Sequence, residues 1–147
     1  MFPSTRTLRR FTVGALSAAA LAGAFGVGAV VARQQTAASK VTALMKQAIS
    51  EYPGHEVTML TLDIPPGGGS PPHRHPGHHI FGYVLEGAYA IKLDDGPERT
   101  LTQGETFYEA PGQLHAVSRN ASETTPARVL VVILAEAGKP VTVPEHS

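Results

Sequence analysis

Residues 69–87 read Gly69-Ser70-Pro71-Pro72-His73-Arg74-His75-Pro76-Gly77-His78-His79-Ile80-Phe81-Gly82-Tyr83-Val84-Leu85-Glu86-Gly87. Four of these are histidines, and an apolar run from Ile80 to Leu85 follows them. In extended chain, residues i and i+2 share a face about 7 Å apart. His73 and His75 therefore aim both rings at one point, and Arg74 between them aims away as a surface or rim charge. Pro76-Gly77 permits a bend, which offers His78 or His79 a route back to that point. A fifth histidine, His115, follows a second Pro-Gly turn at Pro111-Gly112 and is presented from another strand. Three or four neutral imidazoles converging in a dry cavity suit a divalent transition metal, Mn, Fe, Co, Ni, Cu or Zn. The competing reading is a histidine-rich surface loop whose rings are solvated one by one.

Outward from this stretch the period of the sequence is two. From His55, Val57, Met59 and Thr61 alternate with Thr58, Leu60 and Leu62, a strand signature that ends at Pro65-Pro66-Gly67-Gly68-Gly69. Ile80–Leu85 is the next strand, and Glu86-Gly87 turns it into Ala88–Leu93. Asp94-Asp95-Gly96-Pro97 is a strong turn signal. Short strands are expected at Arg99–Leu101, Glu105–Glu109 and His115–Arg119. The run Val129–Leu134 within Ala127–Ala135 suits a strand buried on both faces. Phe81, Tyr83, Leu85 and Phe107 are core candidates, and Tyr83, Tyr108 and Gln113 are candidates for the mouth of a cavity. Thr42–Ser50 has weak helical character broken by Pro53-Gly54, so residues 33–55 are expected to be linker and edge segment. Many short strands and regular Gly/Pro turns give an all-β class, a sandwich or small barrel.

Composition narrows the function. The 147 residues predict a single domain. Lys+Arg 12 balances Asp+Glu 12, so the chain lacks the basic footprint of a nucleic-acid binder. Cysteine is absent, which excludes disulfide frameworks, thiolate metal sites and Cys nucleophiles. Ser118 has no paired base and no nucleophile-elbow context, which argues against a hydrolase triad.

The first 32 residues read as an export signal or an N-terminal anchor. Arg6, Arg9 and Arg10 precede the uncharged run Val13–Val31, and Val30-Val31-Ala32 or Thr36-Ala37-Ala38 offers a small-residue cleavage site. Seven Ala and four Gly in that run make membrane insertion weak, although its length just suffices to span a bilayer. Cleavage sends the domain to the periplasm or outside the cell; retention anchors it through residues 13–31. Arg9-Arg10-Phe11 resembles a twin-arginine export signal, with Thr12 where a large apolar residue is preferred. Loss of residues 1–32 removes three arginines and leaves nine cations against 12 acids, a net charge of −3.

The stretch Gly69–Gly87 resembles the first motif of the cupin superfamily: a glycine, His-x-His, a Glu three or four residues later, and a glycine closing a strand. Gly104-Glu105-Thr106-Phe107-Tyr108-Glu109-Ala110-Pro111-Gly112-Gln113-Leu114-His115-Ala116-Val117-Ser118-Arg119-Asn120 resembles the second. The motifs occur in the right order with 16 residues between them, and with flanking strands the resemblance covers residues 56–136. It implies a small single-domain double-stranded β-helix, a jelly-roll barrel, followed by a tail over 137–147. It also implies that His73, His75 and His115 ligate the metal. Where the family places its ligand Glu this chain has His79, or Ile80 counting back from Gly87. A β-bulge at Gly82 would absorb that extra residue and make His79 the fourth ligand, with His78 as competitor. An all-imidazole site leaves the ion's charge uncancelled and favours anionic or enolic ligands. In the second motif Ala110 replaces a Pro and Asn120 falls one residue late. Glu109 is a candidate acceptor for an imidazole N–H, or a general base; the competing reading is a surface ion pair. Homodimerisation through open edge strands is a further implication.

The functional expectation is a small-molecule metalloenzyme of dioxygenase or isomerase type. The alternatives are a non-catalytic metal- or ligand-binding sensor, scavenger or accessory module, and a structural domain that keeps its histidines for folding.

Overall fold

Period-two alternation becomes a set of strands in the computed structural model, which describes residues 38–145. In chain order these are β1 (Lys40–Ala48), β2 (His55–Ile64), β3 (Gly69–Ser70), β4 (His73–Arg74), β5 (His79–Glu86), β6 (Ala88–Leu93), β7 (Arg99–Thr102), β8 (Thr106–Glu109), β9 (Leu114–Asn120), β10 (Ala127–Glu136) and β11 (Val143–Pro144). They form two antiparallel sheets, one ordered β1-β2-β10-β5-β8 and the other β11-β4-β9-β6-β7, with β3 beside β9. This is a jelly-roll sandwich. The candidate export segment lies outside the described residues. No helix among the described residues is long and apolar enough to cross a membrane.

The core lies between the sheets. Each sheet sends alternate side chains inward: Ile80 and Val84 from β5, Tyr89 and Ile91 from β6, Phe107 from β8. Each such fully buried side chain contributes on the order of 2 kcal/mol. The apolar run in β10 departs from expectation. Ala127, Val129, Val131, Ile133 and Ala135 are buried while the residues between them are half-buried or exposed. β10 sits between β2 and β5 in one sheet, so only one of its faces meets the other sheet.

Strand β5 corrects the sequence reading most sharply. Its pairing with β8 runs without interruption through Ile80↔Glu109, Phe81↔Tyr108, Gly82↔Phe107 and Tyr83↔Thr106, so Gly82 carries no bulge. The irregularity falls instead near Leu85, where β10 shifts register between Arg128 and Val129. Regular alternation from Ile80 to Val84 turns Phe81 and Tyr83 outward, 47% and 41% exposed, rather than into the core. Gly82 serves the Phe107 ring, which occupies the space a side chain would take: a Cβ at 82 would lie 2.0 Å from it.

Thr42–Ser50, the segment of weak helical character, is mostly strand. β1 pairs with the open edge of β2, because an edge strand's unpaired N–H and C=O groups outweigh a marginal local preference.

Candidate metal centre

Two Pro-Gly turns assemble the site. His75-Pro76-Gly77-His78 closes with His78 N–H donating to His75 O at 3.2 Å, and Gly77 takes a φ of 77°. Ala110-Pro111-Gly112-Gln113 closes with Gln113 N–H on Ala110 O at 3.1 Å, and Gly112 takes a φ of 76°. Pro before a left-handed Gly is the signature of a type II turn. The turns are joined, since Gly112 N–H also donates to His75 O at 3.0 Å. Next to them β4 and β9 pair with His73 directly opposite His115. Two sequence-distant histidines thus become cross-strand neighbours.

His73, His75 and His115 each offer a ligand atom, and these atoms lie within 4.8 Å of one another. The ring of His73 stands 4.9 Å from those of both His75 and His115. Backbone carbonyls set the tautomers. His73 Nδ1–H donates to Pro71 O at 2.8 Å, and His75 Nδ1–H donates to Val141 O at 2.6 Å. In both rings Nε2 is left with its lone pair for a cation. The Tyr89 hydroxyl lies 3.4 Å from His115 Nε2 and 2.7 Å from Ser118 Oγ. His115 Nδ1 is buried and has no hydrogen-bond partner. Three imidazole nitrogens within reach of one point fit a divalent transition metal.

Burial holds the His73 and His75 rings below the ordinary imidazole pKa, and Glu109 and the Pro71 and Val141 carbonyls only partly offset it. The unfolded chain therefore takes up protons on these rings before the folded one does. Stability from keeping them neutral is fully present above about pH 6.5 and is lost as pH falls from there toward the lowered folded values. The melting temperature of the metal-free chain should fall between about pH 7 and 5. It should fall less in a His73→Ala/His75→Ala variant. Equal slopes by differential scanning calorimetry would remove these rings as the cause.

The other sequence candidates are placed as follows. His79 is not brought to the cluster: on regular β5 it faces outward, stacks on Tyr108 and shares a 2.8 Å hydrogen bond with the Tyr108 hydroxyl. The inward position beside it belongs to Ile80. His78 is fully buried but turned to the C-terminal segment, where its Nε2–H donates to Pro140 O at 3.0 Å. Arg74 points away and pairs with Glu145 at 2.7 Å, as a rim charge does. Glu109 is not at the surface. It is 2% exposed, with Oε1 3.2 Å from His115 Nδ1 and Oε2 3.8 Å from His75 Nε2. Tyr83 and Tyr108 lie on the outer face, away from the cavity.

The histidines stand at one side of a cavity of about 350 Å³. Its walls are largely apolar, with Leu60, Leu62, Ile80, Phe107, Val131 and Ile133 among them. Tyr89 and the tail residue Val141 also contribute. The tail's role carried no signal in the sequence, since a backbone carbonyl has no residue signature.

The family model for a cupin domain matches residues 60–133. Oxalate oxidase 1 of Hordeum vulgare is 33% identical over 84 residues, which is 50% of this chain and 42% of that protein. The rhicadhesin receptor of Pisum sativum is 33% identical over 103 residues, 67% of this chain and 46% of that protein. A solved structure of recombinant oxalate oxidase in complex with glycolate is similar with a TM-score of 0.55 at 28% identity, over 72% of this chain and 54% of that one. The chain spans about half the length of these relatives.

Proposed function

The chain belongs to the cupin family, and from that premise we propose that it is an exported metalloenzyme of dioxygenase or isomerase type. His73, His75 and His115 hold one divalent transition metal beside a cavity that admits a small organic ligand. The observation that carries this reading is the convergence of three imidazole donors, from two distant stretches of chain, on one side of an apolar cavity.

When bound, such an ion supplies Lewis acidity to a ligand's oxygen donors and, if redox-active, a site for dioxygen. The protein's own groups do the rest. The carbonyls of Pro71 and Val141 fix the tautomer and aim of two ligating rings. Leu60, Leu62, Val131 and Ile133 exclude water and pack against the apolar body of a ligand. Oxygen donors at one end and an apolar body at the other describe the ligand this cavity suits. The glycolate bound by the similar oxalate oxidase supports the donor end. The apolar walls favour a ligand bulkier than glycolate. The cationic then apolar start of the chain, Arg6 to Val31, supports export.

The test is metal analysis of the purified chain followed by oxygen uptake and product analysis with catechol-, diketone- and hydroxy-acid-like compounds. Near-stoichiometric metal with ligand-dependent turnover is expected. Metal without turnover of any compound would make the domain a binding module, and a chain that cannot be loaded would end the metal reading.

A further inference from the structure

One buried carboxylate is unexplained by three-histidine ligation. On β5 the inward residue next to the cluster is Ile80, which cannot ligate. Its direct partner across the ladder, on the next strand, is Glu109. The two share a face, and both are 2% exposed. The sheet thus places a carboxylate one strand away from the position where β5 offers only a hydrocarbon.

The contacts of Glu109 leave a place for a cation. Its Oε2 is buried and has no hydrogen-bond partner. That oxygen lies 3.8 Å from His75 Nε2. His75 spends its Nδ1 proton on Val141 O, so the neutral ring turns a lone pair toward the carboxylate. The same holds at His115, whose Nδ1 is 3.2 Å from Glu109 Oε1 yet makes no hydrogen bond. With the Nε2–H of His115 directed at the Tyr89 hydroxyl, 3.4 Å away, Nδ1 would be the lone-pair atom. Lone pairs facing an anion in a buried space repel unless a positive charge lies between them. The 3.2 Å spacing to His115 falls in the range such an occupant sets, and the 3.8 Å spacing to His75 is somewhat wider. With ligand bonds of about 2.1 Å, neighbouring donors stand about 3.0 Å apart around an octahedral ion and about 3.4 Å apart around a tetrahedral one.

Resting on the metal reading above, we infer that Glu109 is the fourth protein ligand of the site, a carboxylate supplied across the β5–β8 ladder in place of the inward residue at 80. It is neither a surface ion-pair partner nor only an acceptor that orients His115. A carboxylate ligand cancels one unit of the ion's charge. It also shifts the donor set toward harder ions, since carboxylate suits Mn²⁺ better than imidazole alone does.

The test is titration calorimetry of the full chain and of Glu109→Gln and Glu109→Asp, each with Mn²⁺ and separately with Zn²⁺. Folding of each variant is checked by circular dichroism. In the wild type one Mn²⁺ binds per chain. In Glu109→Gln, Mn²⁺ affinity is expected to fall about 100-fold, and at least ten times more than Zn²⁺ affinity. Glu109→Asp, which keeps a carboxylate, should recover part of the Mn²⁺ preference. An equal loss for the two ions would reduce Glu109 to a residue that orients His115, and an unchanged Mn²⁺ affinity would remove it from the site; either overturns the inference while leaving the histidine site standing. A wild-type chain that binds neither ion overturns both the inference and the metal reading. An Mn²⁺-loaded crystal structure gives a direct check: a Glu109 oxygen within about 2.3 Å of the ion supports ligation, and one beyond about 3 Å overturns it.

Discussion

Replacing His73 and His75 together by Ala is expected to take metal content from about one ion per chain to below about a tenth, with the barrel still folded. The rings are two of the three nitrogen donors, and their loss leaves His115 and one carboxylate, too few for tight binding at neutral pH. The fold should survive because neither ring belongs to the apolar cluster of Ile80, Val84, Tyr89, Val129, Val131 and Ile133. Each ring does hold one backbone carbonyl, of Pro71 and of Val141. The apo variant should therefore lose about 1–2 kcal/mol, most of it where Val141 ties the tail to the barrel. Metal analysis after dialysis, together with urea titration of apo wild type and apo variant, separates the effects. A variant that retains stoichiometric metal would refute His73 and His75 as ligands. A variant whose barrel does not fold would make these rings structural, and the site would then exist to hold the chain together rather than to present an ion.

The second large effect is expected at Gly82, a residue with no side chain to ligate. Glycine in a strand normally gains about 0.5–1 kcal/mol when replaced by Ala. Here the sign should reverse, with a loss of about 3 kcal/mol. A Cβ at 82 would lie 2.0 Å from Cε1 and 2.1 Å from Cζ of Phe107, whereas carbon atoms rest about 3.5–4 Å apart. Phe107 is 6% exposed and stacks on Tyr89 at 5.4 Å, so relieving the clash means breaking that stack and pushing the ring into the cavity it lines. Shrinking the obstacle should relieve the clash. Gly82→Ala with Phe107→Leu should be at least as stable as Gly82→Ala alone, although Phe107→Leu by itself is destabilising. Denaturant titration of the four proteins measures the coupling. A Gly82→Ala chain as stable as wild type would mean that β5 and β8 sit farther apart than described.

Much of the barrel was legible because strand periodicity is local. Val57 to Leu62, Ala88–Leu93, Glu105–Glu109 and His115–Arg119 alternate visibly, and Asp94-Asp95-Gly96-Pro97 announces its own turn. The site was half legible. His73 and His75 declare a shared face by their spacing, and Pro111-Gly112 ahead of His115 declares a turn. The orientation of residues 79 and 80 was not settled locally. Counting forward from His75 favours His79 as the inward residue, while counting back from Gly87 favours Ile80; one residue of register reverses every side chain. Pairing with β8 and the space that Gly82 yields to the Phe107 ring settle it for Ile80. The same registry explains the misplacement of Phe81 and Tyr83, which are apolar enough for a core but fall on the outer face.

Residue type and spacing thus determined the all-β class, the strand sequence and the shared face of His73 and His75, because each depends on neighbours a few positions apart. Tertiary structure alone decided that Ile80 rather than His79 faces inward. It also decided that Glu109 stands beside the rings, and that carbonyls of the C-terminal segment hold His75 and His78. Those outcomes depend on which strand lies beside which and in what register. Burial summed over both sheets sets that register, and no short window of sequence contains it.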